Sequence, residues 1–351
     1  MRRTREQVAF TWGQSGPRAA VAALMLVCTV ALPAPAATQA KPDRRAEDAR
    51  RREAEALLNM ADAAMAGRTA SDFTLRWAND FFKAQSGTFV PFTITVDRGS
   101  LHTANGLLYV RAAKRERVQA QPRGDIRYPF DLIFPVEFSG PPGQPLRISR
   151  GFAVAPGEYD IYVALRERAA DPGERQPRLK AAVLKQPLTV PDFWTGELTT
   201  STVMLADSIE DARQPVVGDD VMERPYVIGA HEVHRAIDSA FRRSRELIVV
   251  FLIYNPTVTG NRNFDIEVDY NLFRKDGGGA GERYVTHTTP QRFTPASMDA
   301  AFDPASGPIL AGQGILLSSF QEGEYRLGIT VTDLASRKSL SREVTFTVVG
   351  S

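Results

Sequence analysis

From Ser71 onward the chain alternates apolar and polar residues in short runs that turn residues bound. Alternation of this kind predicts β-strands, because successive side chains of a strand point to opposite faces of a sheet. The predicted strands of the first half, by residue number, are 72–82, 88–97, 105–113, 127–138, 146–154, 158–168 and 179–190. Those of the second half are 198–206, 225–230, 246–255, 264–274, 282–289, 313–318, 324–333 and 340–349.

This strand pattern predicts an all-β fold of two tandem antiparallel β-sandwiches of the immunoglobulin or fibronectin type. Parallel strands would need crossover helices, and no helical pattern separates the runs. The first sandwich is predicted over residues 71–192 and the second over residues 198–351. The segment Thr189–Gly196 is predicted to be a hinge between them, and the polar stretch 207–224 a long loop.

Residues 37–70 are predicted to form a charged helical leader ahead of the sheets. Residues 43–66 are rich in Ala, Arg and Glu and contain neither Pro nor Gly, and Gly67 can end the helix. The second half of this helix has a narrow apolar face, which favours docking of its last turns on the first sandwich. A helix that binds a partner or a membrane surface is the alternative.

Residues 1–36 are predicted to be a signal peptide. An arginine-rich start precedes the uncharged run Ala19–Leu32, which has the length of a signal-peptide core and is too short to span a bilayer. Ala34 and Ala36 then frame a cleavage site of small residues. We predict cleavage after Ala36, with Ala40 as the second choice, and export to the periplasm or the extracellular space. An uncleaved membrane anchor is the alternative.

The charge and cysteine content of the chain limit the classes of function that it can have. The 351 residues include 43 Lys and Arg against 41 Asp and Glu, for a net charge of +2. Loss of the signal peptide removes four basic residues and one acidic residue, so the mature chain would carry a net charge of −1. A near-neutral surface gives no electrostatic reason to expect nucleic-acid binding. The single cysteine, Cys28, lies in the signal, which excludes a disulfide framework in the mature chain.

The two halves of the chain resemble copies of each other. The segment Val154–Tyr159 (VAPGEY) matches Phe320–Tyr325 (FQEGEY), and an alternating strand follows each. Glycine permits a tight corner, and a tyrosine two positions later can bury its ring while its hydroxyl bonds to the backbone at the corner. A structural corner role is therefore predicted for Gly157, Tyr159, Gly323 and Tyr325.

The run Glu246–Asn255 (ELIVVFLIYN) and the ending Phe320–Val349 resemble the C-terminal sandwich of certain uncharacterised exported bacterial proteins. Similar endings occur beside GWxTD domains and in von Willebrand A-related proteins, and the resemblance covers residues 240–349. The chain has neither a GWxTD motif nor the Asp-x-Ser-x-Ser of a metal-binding von Willebrand A domain. The resemblance therefore implies an exported tandem sandwich and transfers no active site.

The motifs that could carry chemistry depart from the required spacing. His231 and His234 are three residues apart, whereas the helical zinc motif needs four. The acidic run 261–269 alternates with apolar residues, which predicts the solvated face of a strand, with a weak calcium or cationic-ligand patch as the alternative. The glycine-rich segment Lys275–Glu282 leads into a strand and is predicted to be a hairpin loop.

Phe193 and Trp194 form an aromatic pair in the predicted hinge. The pair either packs between the domains or offers a stacking surface to a sugar ring.

Together these observations predict an exported, non-catalytic binding or scaffold protein of the cell envelope or extracellular space, with no catalytic residue, cofactor or metal site. The expected partner is a protein or an envelope polymer, with no nucleic acid and no stable membrane span after signal cleavage. A carbohydrate-binding module, or an accessory to a degradative enzyme, is the alternative. An enzyme with an unfamiliar carboxylate pair is a third possibility.

Overall fold

A computed structural model describes residues 44–69, 71–115, 127–141, 143–169, 178–275 and 281–350. The predicted signal peptide, residues 1–36, lies outside the described residues. Within the described part, strands dominate, and the longer of two α-helices is α1 (Arg44–Met65), ahead of α2 (Asp220–Glu223). The predicted all-β sandwich fold is confirmed.

The first domain packs two four-stranded sheets face to face. The first sheet contains β1 (Leu75–Asn79), β2 (Phe82–Lys83), β3 (Thr88–Val96) and β6 (Leu146–Val154). The second has the order β5-β4-β7-β8 and contains β4 (Asn105–Lys114), β5 (Phe130–Glu137), β7 (Gly157–Arg168) and β8 (Ala181–Val190). Alternate side chains of both sheets fill the core between them, and Phe92, Leu108 and Val163 are fully buried there.

The second domain repeats this arrangement with six strands in each sheet. One sheet contains β9 (Thr199–Thr200), β10 (Met204–Asp211), β11 (Val227–Ile228), β12 (His231–Arg235), β14 (Glu246–Tyr254) and β18 (Ile309–Leu316). The other contains β13 (Ala240–Arg242), β15 (Ile266–Lys275), β16 (Glu282–His287), β17 (Gln291–Phe293), β19 (Gly323–Asp333) and β20 (Lys338–Val349).

The strand orders of the two domains correspond. In the first domain β7 lies between β4 and β8, and in the second β19 lies between β15 and β20. The facing sheets centre on β3, flanked by β1 and β6, and on β14, flanked by β10 and β18. The sequence match between VAPGEY and FQEGEY falls on the equivalent strands β7 and β19, so it follows a repeated topology.

Several local features differ from the sequence-based prediction. The stretch 207–224, predicted to be a long loop, begins as a strand, because β10 continues to Asp211 and pairs with β12. The strand β12 was not predicted from the sequence. The helix α2 follows within the same stretch. Finally, β13 pairs in parallel with β20, whereas all pairing was predicted to be antiparallel. The strands β14 to β19 lie between β13 and β20 in sequence, so the chain returns through both sheets and their parallel pairing needs no crossover helix.

The strand β14 is buried on both faces, which explains its continuous apolar run. Phe251 and Ile253 point into the core of the second domain. Val250, Leu252 and Tyr254 point the other way and form a second apolar cluster with residues of the first domain and the hinge. A sheet with one solvated face would show polar residues at these alternate positions. The run therefore reflects packing between the domains.

The helix α1 docks on the outer face of the second sheet of the first domain. Leu57 and Ala61 are fully buried against Tyr109 and Tyr162, which lie on that face. Arg111, also buried, donates from Nη1 to Asp62 Oδ1 of the helix at 2.5 Å. The last turns of α1 thus cover a part of the sheet that carries aromatic rings and a buried cation.

Candidate functional site at the domain junction

The two domains meet at an apolar junction centred on the hinge. Phe193 is only 4% exposed, and its ring lies 5.4 Å from that of Tyr254. Phe82 of the first domain joins the same cluster. Backbone and side-chain hydrogen bonds add to this packing, since Phe81 N donates to Thr202 Oγ1 at 2.9 Å and Lys83 N to Tyr254 Oη at 3.1 Å. The hinge segment is therefore packed between the domains.

A buried ionic group lies at the centre of the junction. Asp80 of the first domain is fully buried and accepts a hydrogen bond from Arg235 Nε of the second domain at 2.6 Å. Tyr226 Oη donates to the same carboxylate oxygen at 3.0 Å. Burial raises the pKa of Asp80, and the attraction of Arg235 offsets this only in part. The other oxygen, Oδ1, has no hydrogen-bond partner among the described residues.

A polar cleft of about 200 Å³ lies beside this group, between β6 and the segment 223–235. Three arginines point to it, and each has an acidic partner. Arg147 pairs with Asp207 at 3.3 Å and Arg224 with Glu232 at 2.7 Å, while Arg235 holds Asp80. Since these cations are already neutralised, the cleft joins the two domains and does not present a free anion site.

A second depression, which we call the Trp194 groove, lies on the first domain next to the hinge. It has a volume of about 560 Å³ and opens to solvent. Its lining residues are Ser86, Gly87, Lys114, Pro129, Ala153, Val154, Ala155, Pro156, Tyr159, Asp192 and Trp194. Trp194 is 51% exposed, whereas its neighbour Phe193 is buried.

Trp194 is held in place by three contacts, two of them made by its indole. Its Nε1 donates to the carbonyl oxygen of Gly87 at 3.1 Å, and its backbone N–H donates to Asp192 Oδ1 at 2.8 Å. The ammonium of Lys83 lies 4.4 Å from the ring centroid, in cation–π geometry. Lys83 is in turn fixed by Asn255 Oδ1 of the second domain at 2.8 Å. The exposed ring is thus oriented by both domains.

The predicted corner residues occupy equivalent positions in the two domains. Tyr159 Oη donates to the carbonyl oxygen of Ala155 at 2.9 Å, and Tyr325 Oη donates to that of Gln321 at 2.7 Å. Both rings are buried, with 0% and 1% exposure. Gly157 and Gly323 have φ angles of 142° and 141°, which L side chains rarely adopt. This geometry is that of a tyrosine corner, in which each ring serves the core.

We expect Tyr159→Phe and Tyr325→Phe each to lower the free energy of unfolding by about 1–2 kcal/mol, because each leaves a carbonyl oxygen without its donor. Urea unfolding of the full mature chain would measure the change. Tyr284→Phe is the matched control, since Tyr284 is 50% exposed. Unfolding midpoints equal to that of the control would contradict a stabilising role of the corner bonds.

The histidine pair does not converge. Both residues lie on β12, and on a strand positions i and i+3 point to opposite faces. His231 Nδ1 lies 3.5 Å from Asp211, while His234 Nε2 lies 3.7 Å from Glu210. The described residues contain no group of three or more His, Cys, Asp or Glu side chains that could hold a metal ion.

The acidic run 261–269 is dispersed in the same way. Asp265 forms a close pair with Arg292 at 2.6 Å, and this guanidinium holds the pKa of Asp265 below its usual range. Nearby, Asp333 is fully buried, but its oxygens accept backbone N–H groups of Thr257 at 2.8 Å and Ala335 at 3.0 Å. These carboxylates already have partners within the protein.

A structural metal would couple to folding, so its removal would lower the melting temperature. Since these carboxylates have partners within the protein, we expect neither chelator nor millimolar calcium to change the melting temperature. Thermal unfolding of the mature chain with chelator and with calcium measures this. A calcium-dependent rise of several degrees that Asp265→Asn with Glu267→Gln abolishes would instead make residues 261–269 a cation site.

Residues 276–280 of the glycine-rich segment lie outside the described residues. The flanking Lys275 and Glu282 are directly paired in antiparallel β15 and β16, so the segment connects adjacent strands. A phosphate-binding loop would instead lead into the N-terminus of a helix.

Comparison with known proteins assigns no family. No family model and no curated protein matches the chain. Among solved structures, native Escherichia coli alpha-2-macroglobulin aligns over 80% of this chain and 15% of its own, at 9% identity and a TM-score of 0.21. The same E. coli protein activated by porcine elastase aligns over 80% and 24%, at 11% identity and a TM-score of 0.22.

This chain therefore spans 15% and 24% of the length of these two macroglobulin structures. A likeness at this level identifies neither a family nor a function. Separately, no helix in the described ranges is both long and apolar enough to cross a bilayer.

Proposed function

We propose that the protein is an exported, non-catalytic binding or scaffold protein in which the two sandwiches act as one rigid element. The observation that carries this proposal is the junction, where the fully buried Asp80 of the first domain pairs with Arg235 of the second. Tyr226, which also bonds to Asp80, belongs to the apolar cluster that joins both domains and the hinge. Interfaces between domains of one chain are often polar and permit motion. A junction with buried side chains and paired charges favours a fixed arrangement of the two outer surfaces, as a scaffold requires.

The predicted signal peptide supports the exported location. Expression of the full chain in a bacterial host, followed by fractionation and N-terminal sequencing, tests it. We expect soluble protein that begins at Ala37 in the periplasm or medium. Membrane-bound protein that retains Met1 would contradict export.

The proposal that the protein is non-catalytic is tested on the purified mature chain. We expect no release of soluble product from peptidoglycan, chitin, cellulose or casein. Product release that scales with protein concentration would make the protein an enzyme and overturn the proposal. A small-angle scattering profile that matches the two-domain structure is expected for a rigid scaffold, whereas a profile that requires an ensemble of domain orientations would contradict it.

A further inference from the structure

We propose that the Trp194 groove binds a pyranose ring of a polysaccharide, an inference that rests on the binding function proposed above. The first reason is that the indole of Trp194 is both exposed and held in a fixed orientation. A large aromatic side chain that is 51% exposed would gain by packing, yet the Nε1 bond to Gly87 and the Lys83 contact hold it outward. A ring fixed in this way loses little conformational entropy when a ligand stacks on it.

We place the ligand on the face of the ring opposite Lys83. Its ammonium lies over the indole at 4.4 Å from the centroid, and Lys83 is not a lining residue of the groove. The C–H groups on one face of a pyranose form an apolar surface of about the size of an indole. Stacking of that surface on the indole of Trp194 would bury apolar area on both the sugar and the protein.

The polar groups of the groove suit the rim of a sugar. Lys114 and Asp192 are exposed and line the groove together with the hydroxyl of Ser86. An ammonium donates hydrogen bonds and a carboxylate accepts them, so the two can serve the hydroxyls around the edge of a ring. Pockets for small ligands have this composition, in which an apolar surface is combined with a few polar groups that fix orientation.

A sugar fits these features better than a peptide. Grooves that bind proline-rich peptides are lined by aromatic residues. Among the lining residues here, Trp194 is the one exposed ring, since Tyr159 is buried in the corner. One exposed aromatic ring with charged side chains beside it offers a stacking surface and hydrogen-bonding groups for one pyranose ring. Because the groove opens to solvent at about 560 Å³, further rings of the polymer can extend beyond it.

Co-sedimentation of the mature chain with insoluble cellulose, chitin and purified peptidoglycan tests the proposal. We expect at least one polymer to deplete the wild-type protein from solution, and Trp194→Ala to weaken its apparent affinity about tenfold or more. Tyr284→Ala is the matched control, because Tyr284 is 50% exposed on the second domain. It should bind as the wild type does, and thermal melts should show that both variants are folded.

Fluorescence gives an independent readout. The chain has three tryptophans, of which Trp12 lies in the predicted signal and Trp77 is stacked on Phe92 at 4.4 Å. In mature Trp77→Phe the emission comes from Trp194 alone. A blue shift on addition of soluble fragments of the bound polymer is expected, since stacking removes water from the indole.

Several results would overturn the groove assignment. Folded wild-type protein that none of the three polymers depletes would do so, as would Trp194→Ala that binds like the wild type. A blue shift with poly-L-proline but with no polysaccharide would assign the groove to a peptide. In each of these cases an exported chain without hydrolytic activity would leave the proposed binding function intact, so the two failures can be told apart.

Discussion

Arg235→Met is expected to lower the free energy of unfolding by about 3–5 kcal/mol. The substitution removes the guanidinium that donates to Asp80 at 2.6 Å, and it leaves a fully buried carboxylate with Tyr226 as its remaining side-chain donor among the described residues. The energetic cost comes from the unpaired buried charge, because an intact buried pair contributes little beyond its own desolvation penalty. Urea unfolding of the full mature chain at neutral pH would measure the change.

Two further variants separate this effect from a general loss of packing. Asp80→Asn combined with Arg235→Met removes the buried charge as well as its partner, and we expect it to recover much of the lost stability. Arg292→Met breaks the Asp265 pair, in which the arginine side chain is 58% exposed, and no resolvable change in unfolding midpoint is expected there. Equal effects of Arg235→Met and Arg292→Met would show that the junction pair has no special role.

The same group gives a pH dependence with a definite sign. Burial raises the pKa of Asp80 in the folded state, so the native chain takes up this proton more readily than the unfolded chain. The contribution of the carboxyl to stability is then complete below its unfolded pKa of about 4 and declines as the pH rises through the folded value. Loss of Arg235 would raise that folded pKa further. The difference in stability between wild type and Arg235→Met should therefore shrink as the pH is lowered.

The sequence predicted the regular strands well, because their signal is local. Alternation over Leu146–Val154 and over the strands after the two GEY units gave the observed elements with small changes in their bounds. Elements that depend on distant partners were missed. His231–Arg235 is short and largely polar, and its pairing with β10 and β11 makes it a strand. Ala240–Arg242 has three residues and relies on β20 at the end of the chain.

The junction was harder to predict for the same reason. Asp80 lies between aromatic residues, in the segment Trp77–Phe82, and a charge in such a setting is a signal for burial with a partner. Its partners are 146 and 155 positions away, so nothing local identifies Tyr226 or Arg235. The sequence left open whether Phe193 and Trp194 pack or are exposed. The structure gives one answer for each residue, since Phe193 is 4% exposed and Trp194 is 51% exposed.

Because Phe193 is buried while its neighbour Trp194 is exposed, Phe193→Ala is expected to lower the free energy of unfolding far more than Trp194→Ala. Phe193 is 4% exposed and packs on Tyr254 within the cluster that joins the domains. Truncation of a buried phenylalanine to alanine removes its apolar contacts and leaves a cavity, which typically costs about 3–5 kcal/mol. Urea unfolding of the mature chain would measure this loss. Limited proteolysis should also become faster at 191–198, because the hinge loses its anchor to the second domain.

Trp194→Ala is the control next to it in sequence. The indole is half exposed, so its removal should change stability much less than loss of Phe193. If the groove binds a sugar ring, this variant loses polymer binding and keeps its fold, whereas Phe193→Ala loses stability through the junction. A small effect of Phe193→Ala on both unfolding and proteolysis would show that the two sandwiches are not coupled through the hinge. The rigid-scaffold proposal would then lose its physical basis, while polymer binding by the first domain could still be correct.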